Sequence, residues 1–219
     1  MKRLVAYFRA NIFVAMVPFL LNGITGPVLL NAATFTVGFE TWNQFHSCKE
    51  DEINGKQRPR FDKRSMIAAW AICLLLSDWP VRIWLLLCPA VYLSGNNTPL
   101  KEAFMFYGIF VHNHYLALPF DVVRIFRHTM TLSIQDVRDV EGDKVAGRTT
   151  LPMLVNFQLF YLIVVAVFFV LDPTMPLHSL LVYLLIAALS VTHSRLAYSI
   201  WQVNYVLELF FCCNPSLAP

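Results

Sequence analysis

Ile134-Gln135-Asp136-Val137-Arg138-Asp139-Val140-Glu141-Gly142-Asp143-Lys144-Val145-Ala146-Gly147-Arg148-Thr149-Thr150-Leu151-Pro152 decides how the rest of the chain is read. The stretch sets four carboxylates and three cations between two apolar runs. Asp136, Asp139 and Asp143 fall at i, i+3 and i+7, so a helix entering the stretch turns all three carboxylates to one face. Like charges on one stripe repel, and divalent cations among them relieve the repulsion. Carboxylate oxygens are hard ligands, which suits Mg²⁺, an ion that keeps part of its water shell and takes phosphate oxygens as further ligands. Gly142 and Gly147 punctuate the acids, Lys144 and Arg148 offer cations to anionic oxygens, and Pro152 restarts a helix. A solvated acidic loop, capped at Thr149-Thr150, is the plainer reading of the same residues.

Outside this stretch the chain is mostly apolar. Of 219 residues, 57% are hydrophobic, only 14% are charged and 18 are Phe, and the mean hydropathy is +0.55. A water-soluble core cannot absorb that much apolar surface, so the composition points to an all-α, polytopic membrane helix bundle. A nucleic-acid binder is excluded by the lack of an extended basic face. The five cysteines, Cys48, Cys73, Cys88, Cys212 and Cys213, are odd in number and match no zinc or redox spacing. They read as small hydrophobes rather than disulfide partners. The start, with Lys2, Arg3 and Arg9, carries no convincing cleavage site and leads into a first apolar segment.

That segment runs from about Ala10 to Ile24 and ends in Thr25-Gly26-Pro27, a turn signal between antiparallel helices. Val28 to about His46 follows and delivers a polar cluster that extends to Arg60. Met66 to Ser94 is interrupted at Asp78-Trp79-Pro80 and reads either as one kinked span or as a hairpin of two short ones. A polar connector from Gly95 to Glu102 leads into the apolar run from Ala103 to about Pro119. Asp121 to Ile134 is a poor span, because Asp121, Arg124, Arg127 and His128 are costly at membrane depth unless they face protein or water. Pro152 to Leu171, Leu177 to Thr192 and Ala197 to Phe211 complete a count of about seven to nine helices, several shorter than a bilayer requires. Basic residues gather at the N-terminus, between Lys49 and Arg64, and at Arg138, Lys144 and Arg148, which places all three regions on the cytosolic side.

In the first polar cluster, Asn43, Ser47 and Asp51 are spaced i, i+4, i+8, with Glu50 on the same face. An amide, a hydroxyl and two carboxylates together suit a hard cation, and a polar helix end at headgroup level is the alternative. Asn43 to Pro59, and Gln135 to Asp143 with Gly147 to Pro152, resemble the two aspartate-rich motifs of the UbiA-type intramembrane prenyltransferase superfamily. The second motif matches closely. The first departs, with Gln44 and Ser47 where the family usually carries acids; Asn43, Ser47 and Asp51 are instead similar to the Asn, Ser/Thr, acid triad of class I terpene cyclases.

The resemblance implies a single domain, residues 1–219, of nine transmembrane helices around a central cavity, in a chain internally shortened relative to the family. It also implies an Mg²⁺-dependent enzyme that ionises a prenyl diphosphate and transfers the prenyl group to an acceptor, in terpenoid or meroterpenoid biosynthesis. Cyclisation of farnesyl diphosphate and an inactive, shortened homologue are the alternatives. The expected metal ligands are Asp136, Asp139, Asp143, Asn43, Ser47, Glu50 and Asp51, with Asp51 also counted among the catalytic acids. Asn43, Arg58, Lys144 and Arg148 are expected to bind substrate, the lysine as a point charge and the arginines as forks. Tyr107, Phe110, Tyr115, Phe157, Tyr161, Tyr198 and Trp201 are candidate pocket aromatics, and His46 and His128 candidate bases. The expected partners are the prenyl diphosphate and the bilayer of the endoplasmic reticulum or another internal membrane, with the acidic motifs facing the cytosol; oligomeric state is left open.

Overall fold

Gly26, at φ +67°, turns the chain into α1, Pro27–His46, with the proline in the first turn where its missing N–H costs nothing. The computed structural model describes residues 16–46, 62–94, 98–145, 147, 149–172, 175 and 177–217. After α1 come α2, Lys63–Leu76, and α3, Trp79–Leu93. The apolar block therefore resolves as two short helices, parted where Ser77 and Asp78 take extended backbone and Pro80 opens the next helix. Tyr115 holds this corner through a hydrogen bond to the Asp78 carboxylate, and the Asn31 amide oxygen accepts from the Asp78 N–H at 2.7 Å.

Then follow α4, Thr98–Tyr115, α5, Val122–Leu132, and α6, Ile134–Val145. The Asp121 carboxylate accepts from the Arg124 N–H and so starts α5. Ser133 separates α5 from α6, so the acidic stripe occupies a helix of its own rather than the last turns of the preceding one. A single turn, α7, Leu151–Leu154, precedes α8, Phe157–Leu171, α9, Leu177–Leu189, α10, Ser194–Cys213, and a 3₁₀ turn at Pro215–Leu217. Every regular element among the described residues is helical.

Two apolar cores result. In the first, Trp84 of α3 stacks on Phe104 of α4 with ring centroids 3.5 Å apart, beside Cys73, Leu85, Cys88 and Val111. Gly108 makes this possible, because a Cβ there would sit 2.6 Å from the Trp84 ring. In the second, Ile125, Ile134, Tyr161, Val165, Tyr183 and Ile186 pack together. Helix α10 borders both, giving Ala197 and Trp201 to the second core and Leu209 to the first. The Asn214 amide, just past α10, donates to Asn22 Oδ1 at 2.6 Å and ties the last turn to the first described one. Cys73, Cys88, Cys212 and Cys213 are free.

The distribution of polarity is inverted for a soluble bundle. Arg124, Arg127, His128, Asp172 and Glu208 are buried, while Leu75, Leu93, Val170, Leu171, Leu177 and Leu181 are exposed, Val170 at 79%. Among the described residues α10 alone, at 20 residues and thus about 30 Å, is long and apolar enough to cross a hydrocarbon layer. Trp79–Leu93, Phe157–Leu171 and Leu177–Leu189 are apolar but shorter.

Candidate functional site

The site is built on α6. Ser133 breaks the chain direction, and its C=O accepts from the Asp136 N–H at 3.0 Å, starting a new helix one residue after α5 ends. From that start the spacing of the acids does what the sequence predicts. Asp136, Asp139 and Asp143 turn inward, exposed by only 5%, 9% and 4%, while Glu141, Lys144 and Val145 point out. Gly147, at φ +71°, closes the segment in a left-handed conformation that favours glycine.

Burying three carboxylates on one face requires compensation. Lys101 of α4 supplies part of it, with Nζ 2.5 Å from Asp136 Oδ1. Arg138 adds a fork on the neighbouring acid, Nε to Asp139 Oδ1 at 2.8 Å and Nη2 to Oδ2 at 2.5 Å. Its guanidinium also lies 4.4 Å from the ring centroid of Tyr198 on α10, so the arginine joins the acidic helix to an aromatic one. Lys101 and Glu102 sit ahead of the apolar run that starts at Ala103. Burial draws the Lys101 pKa down, but the Asp136 carboxylate outweighs it and holds the ammonium above its usual range. Burial pushes Glu102 up to about 7, with Asp136 adding to the rise and Lys101 opposing it.

Of the expected site residues, the structure buries Asp136, Asp139 and Asp143 along one side of α6. Lys144 lies exposed on the opposite face of α6. Asn43 is engaged within the first half of the bundle, where Tyr92 donates to its Oδ1 at 3.0 Å and its Nδ2 lies 3.4 Å from Glu40 Oε2. Ser47, Glu50, Asp51, Arg58 and Arg148 lie outside the described residues. Among the described residues no three acidic, histidine or cysteine side chains converge at ligating distance. The donor set of α6 nevertheless consists of carboxylate oxygens, which fits a hard cation such as Mg²⁺.

Sequence reasoning passed over Lys101 as part of a connector, and the signal it offered was its place one residue before an acid at the mouth of an apolar run. A second polar group lies deeper. Arg127 of α5 is 2% exposed and donates from Nε to Asp172 Oδ2 at 2.9 Å, and from Nη1 to Glu208 Oε2 at 2.6 Å and to the Tyr183 hydroxyl at 3.1 Å. Tyr183 in turn donates to Glu208 Oε1 at 3.0 Å, and the Asn204 amide donates to the same oxygen at 2.7 Å. Of the charged residues that made 121–134 a poor span, Arg124, Arg127 and His128 are thus buried within the protein. Glu208, an acid within the apolar run of α10, has Arg127 as its cationic partner.

Between the two polar groups α10 carries Tyr198, Trp201, Tyr205 and Glu208 at i, i+3, i+7 and i+10. Tyr198 and Trp201 lie parallel with centroids 6.3 Å apart, and Trp201 and Tyr205 at 5.2 Å. The Trp201 indole N–H donates to Thr131 at 3.0 Å, which fixes the column against α5. Of the sequence-predicted aromatics, Trp201 and Tyr198 belong to this column, Tyr161 and Phe157 pack in the second core, and Tyr115 and Tyr107 brace the α2–α3 corner.

The chain matches no family model, no curated protein and no solved structure.

Proposed function

We propose that this chain is a membrane-embedded, Mg²⁺-dependent enzyme that ionises a prenyl diphosphate and passes the prenyl group to an acceptor. The observation that carries the reading is the buried face of α6, where three carboxylates at helical spacing meet Lys101 and Arg138 at one end of the bundle. The resemblance of residues 135–152 to the second aspartate-rich motif of UbiA-type prenyltransferases supports it. The inverted polarity supports a multi-pass protein whose apolar helix faces meet lipid, in the endoplasmic reticulum or another internal membrane with the acidic end toward the cytosol.

Asp136, Asp139 and Asp143 would hold the ion, joined by Asn43, Ser47, Glu50 and Asp51. Bound Mg²⁺ would supply positive charge where the departing diphosphate gathers negative charge. The chain's own residues do the rest. Lys101 neutralises Asp136 while no substrate is present, and with Arg58 and Arg148 it would offer donors to diphosphate oxygens, whereas Lys144 on the outer face of α6 is turned away from them. Arg138 braces Asp139 and keeps α6 against Tyr198. Apolar packing behind the carboxylates keeps water from the allylic cation.

A second reading, cyclisation of a farnesyl-sized substrate, is favoured by one feature. Tyr198, Trp201 and Tyr205 stack face to face along one stripe of α10, and a cation at the end of that stack would be held by cation–π attraction, as the Arg138 guanidinium is on Tyr198. The test is release of inorganic diphosphate from farnesyl diphosphate by the purified chain in lipid vesicles, with Mg²⁺ or with chelator. Metal-dependent release supports the reading. Product that needs an added acceptor then identifies a transferase, and hydrocarbon formed without acceptor identifies a cyclase. Intact substrate under every condition identifies an inactive homologue.

A further inference from the structure

The exposed apolar side chains form a band of limited height. On α8 they run from Leu159 through Ile163, Val167 and Val170 to Leu171, which at helical rise is about 18 Å. On α10 they run only from Leu196 through Val203 to Leu207, about 17 Å, although the helix itself is longer. Between the two, α9 has 13 residues in all, about 20 Å, and exposes Leu177, Leu181, Leu184 and Leu185. The other half of the bundle repeats the measure: α3 has 15 residues, about 22 Å, and exposes Trp79, Ile83, Leu86 and Leu93.

Polar groups bound the band at both levels. Toward α6, exposed Asn156 caps the start of α8, and exposed Thr192, His193 and Arg195 stand where α9 gives way to α10. At the opposite level lie the Asp78–Tyr115 and Asn22–Asn214 pairs. Arg82, the one charge within α3, turns back toward that level, its Nη2 lying 3.4 Å from the Leu75 carbonyl oxygen. Because the band occurs on helices of both apolar cores, one docked protein would cover only part of it, whereas lipid covers every side at once. The hydrocarbon layer of an ordinary bilayer is about 30 Å thick. Tilting shortens the reach of a helix across that layer, so tilt cannot make up the shortfall.

We propose that the partner of this surface is a thin lipid bilayer, with a hydrocarbon layer of about 20 Å, supplied by short acyl chains or by leaflets drawn together around the protein. The inference rests on the membrane reading above and not on the chemistry proposed for α6. In a thicker layer either the polar residues at the rim enter hydrocarbon or the lipid compresses, and both cost more with every ångström of mismatch. Membranes of different thickness are therefore unequal hosts for this chain.

The test uses the full chain in phosphatidylcholine vesicles carrying dimyristoleoyl, dipalmitoleoyl, dioleoyl or dierucoyl chains, in order of increasing thickness. Flotation with the vesicles is recorded first, and the thermal midpoint of helical circular dichroism is then read at two protein-to-lipid ratios. The expected result is a midpoint highest in dimyristoleoyl lipid and lower by about 5 °C or more in dierucoyl lipid. A midpoint that is level across the series, or that peaks in dioleoyl or dierucoyl lipid, overturns the proposal. So does a midpoint that follows the protein-to-lipid ratio and ignores acyl length, because a second copy of the chain would then be what covers these faces. A chain that floats with none of the vesicles removes the membrane reading itself and the proposal with it. Two variants locate the band: Ile163→Arg, in the middle of the α8 stretch, should lower the midpoint in every lipid by about 5 °C or more, and Thr192→Arg, beyond the rim, by no more than about 1 °C. Equal losses from the two would place the lipid boundary elsewhere and overturn the assignment.

Discussion

The two ionic groups of this bundle are built from the same residue types and use them differently. Around Arg127 the charges close on themselves: the guanidinium meets Asp172 and Glu208, and Tyr183 and Asn204 take up remaining Glu208 valence. On α6 the contacts are separate pairs at a less buried rim, Lys101 with Asp136 and Arg138 with Asp139. A closed cluster specifies packing, because every member fixes the next. Separate pairs nearer to water can trade a partner for an incoming ion more readily, and the proposed reading of α6 rests on that difference.

That contrast can be broken by mutation, and the largest effect is expected on activity. Asp139→Asn should lower Mg²⁺-dependent diphosphate release by about 100-fold or more, while its unfolding midpoint in detergent falls only slightly, because the amide oxygen still accepts one hydrogen bond from Arg138. Arg127→Met should do the reverse. It leaves Asp172 and Glu208 buried without their cation, a loss of about 3–5 kcal/mol in denaturant unfolding followed by helical circular dichroism. Lys101→Met, at the half-buried rim, should cost less in the same measurement because water reaches the bereaved Asp136 more readily. If Lys101→Met and Arg127→Met proved equally destabilising, the distinction between open and closed clusters would fall.

A change without charge calibrates the scale. Gly108→Ala would drive a Cβ into Trp84, which Phe104 prevents from slipping. Overpacking of this kind costs about 1–3 kcal/mol, to be seen as a lowered thermal midpoint with ionisation chemistry retained.

Glu102 sharpens the comparison by pH. Burial pushes its folded pKa up to about 7, above the usual 4.5 of a glutamate, so the folded state holds the proton where the unfolded state has lost it. Stability from this group is therefore greatest below pH 4.5 and declines as pH rises toward 7. Glu102→Gln should flatten that slope, which unfolding curves taken between pH 5 and 8 would reveal. Asp62 runs the other way, and its effect should be the smallest. Hydrogen bonds from the Ser65 hydroxyl and N–H and from the Arg64 N–H hold its pKa below 3.8, so its contribution to capping α2 is complete above that value and fades as pH falls through the lowered one. Asp62→Ala should therefore matter at pH 6 and vanish in strong acid, read by the same unfolding curves.

Legibility in the sequence followed the range of the interactions involved. The stripe of Asp136, Asp139 and Asp143 depends on spacing within one helix, and spacing is local. Their burial on one side of α6 follows directly. The all-helical class followed from composition and from breakers such as Gly26-Pro27 and Asp78-Trp79-Pro80, which end helices by covalent geometry. Lys101 meeting Asp136, 35 residues away, and Arg127 meeting Glu208, 81 residues away, depend on how helices pack, and no local pattern encodes that. The charges of 121–134 announced that something polar lay inside without saying what. The break at Ser133 was also hidden, since serine is no helix breaker and acts here by returning its hydroxyl to the Met130 carbonyl.

Helix α10 belongs to both apolar cores, with Leu209 in one and Trp201 in the other. Neither half can lose its packing without baring one side of this shared helix, so each half depends on the other for survival. Melting should accordingly register as one cooperative transition and not as two, and a helical peptide cut from either half should fail to hold its shape alone.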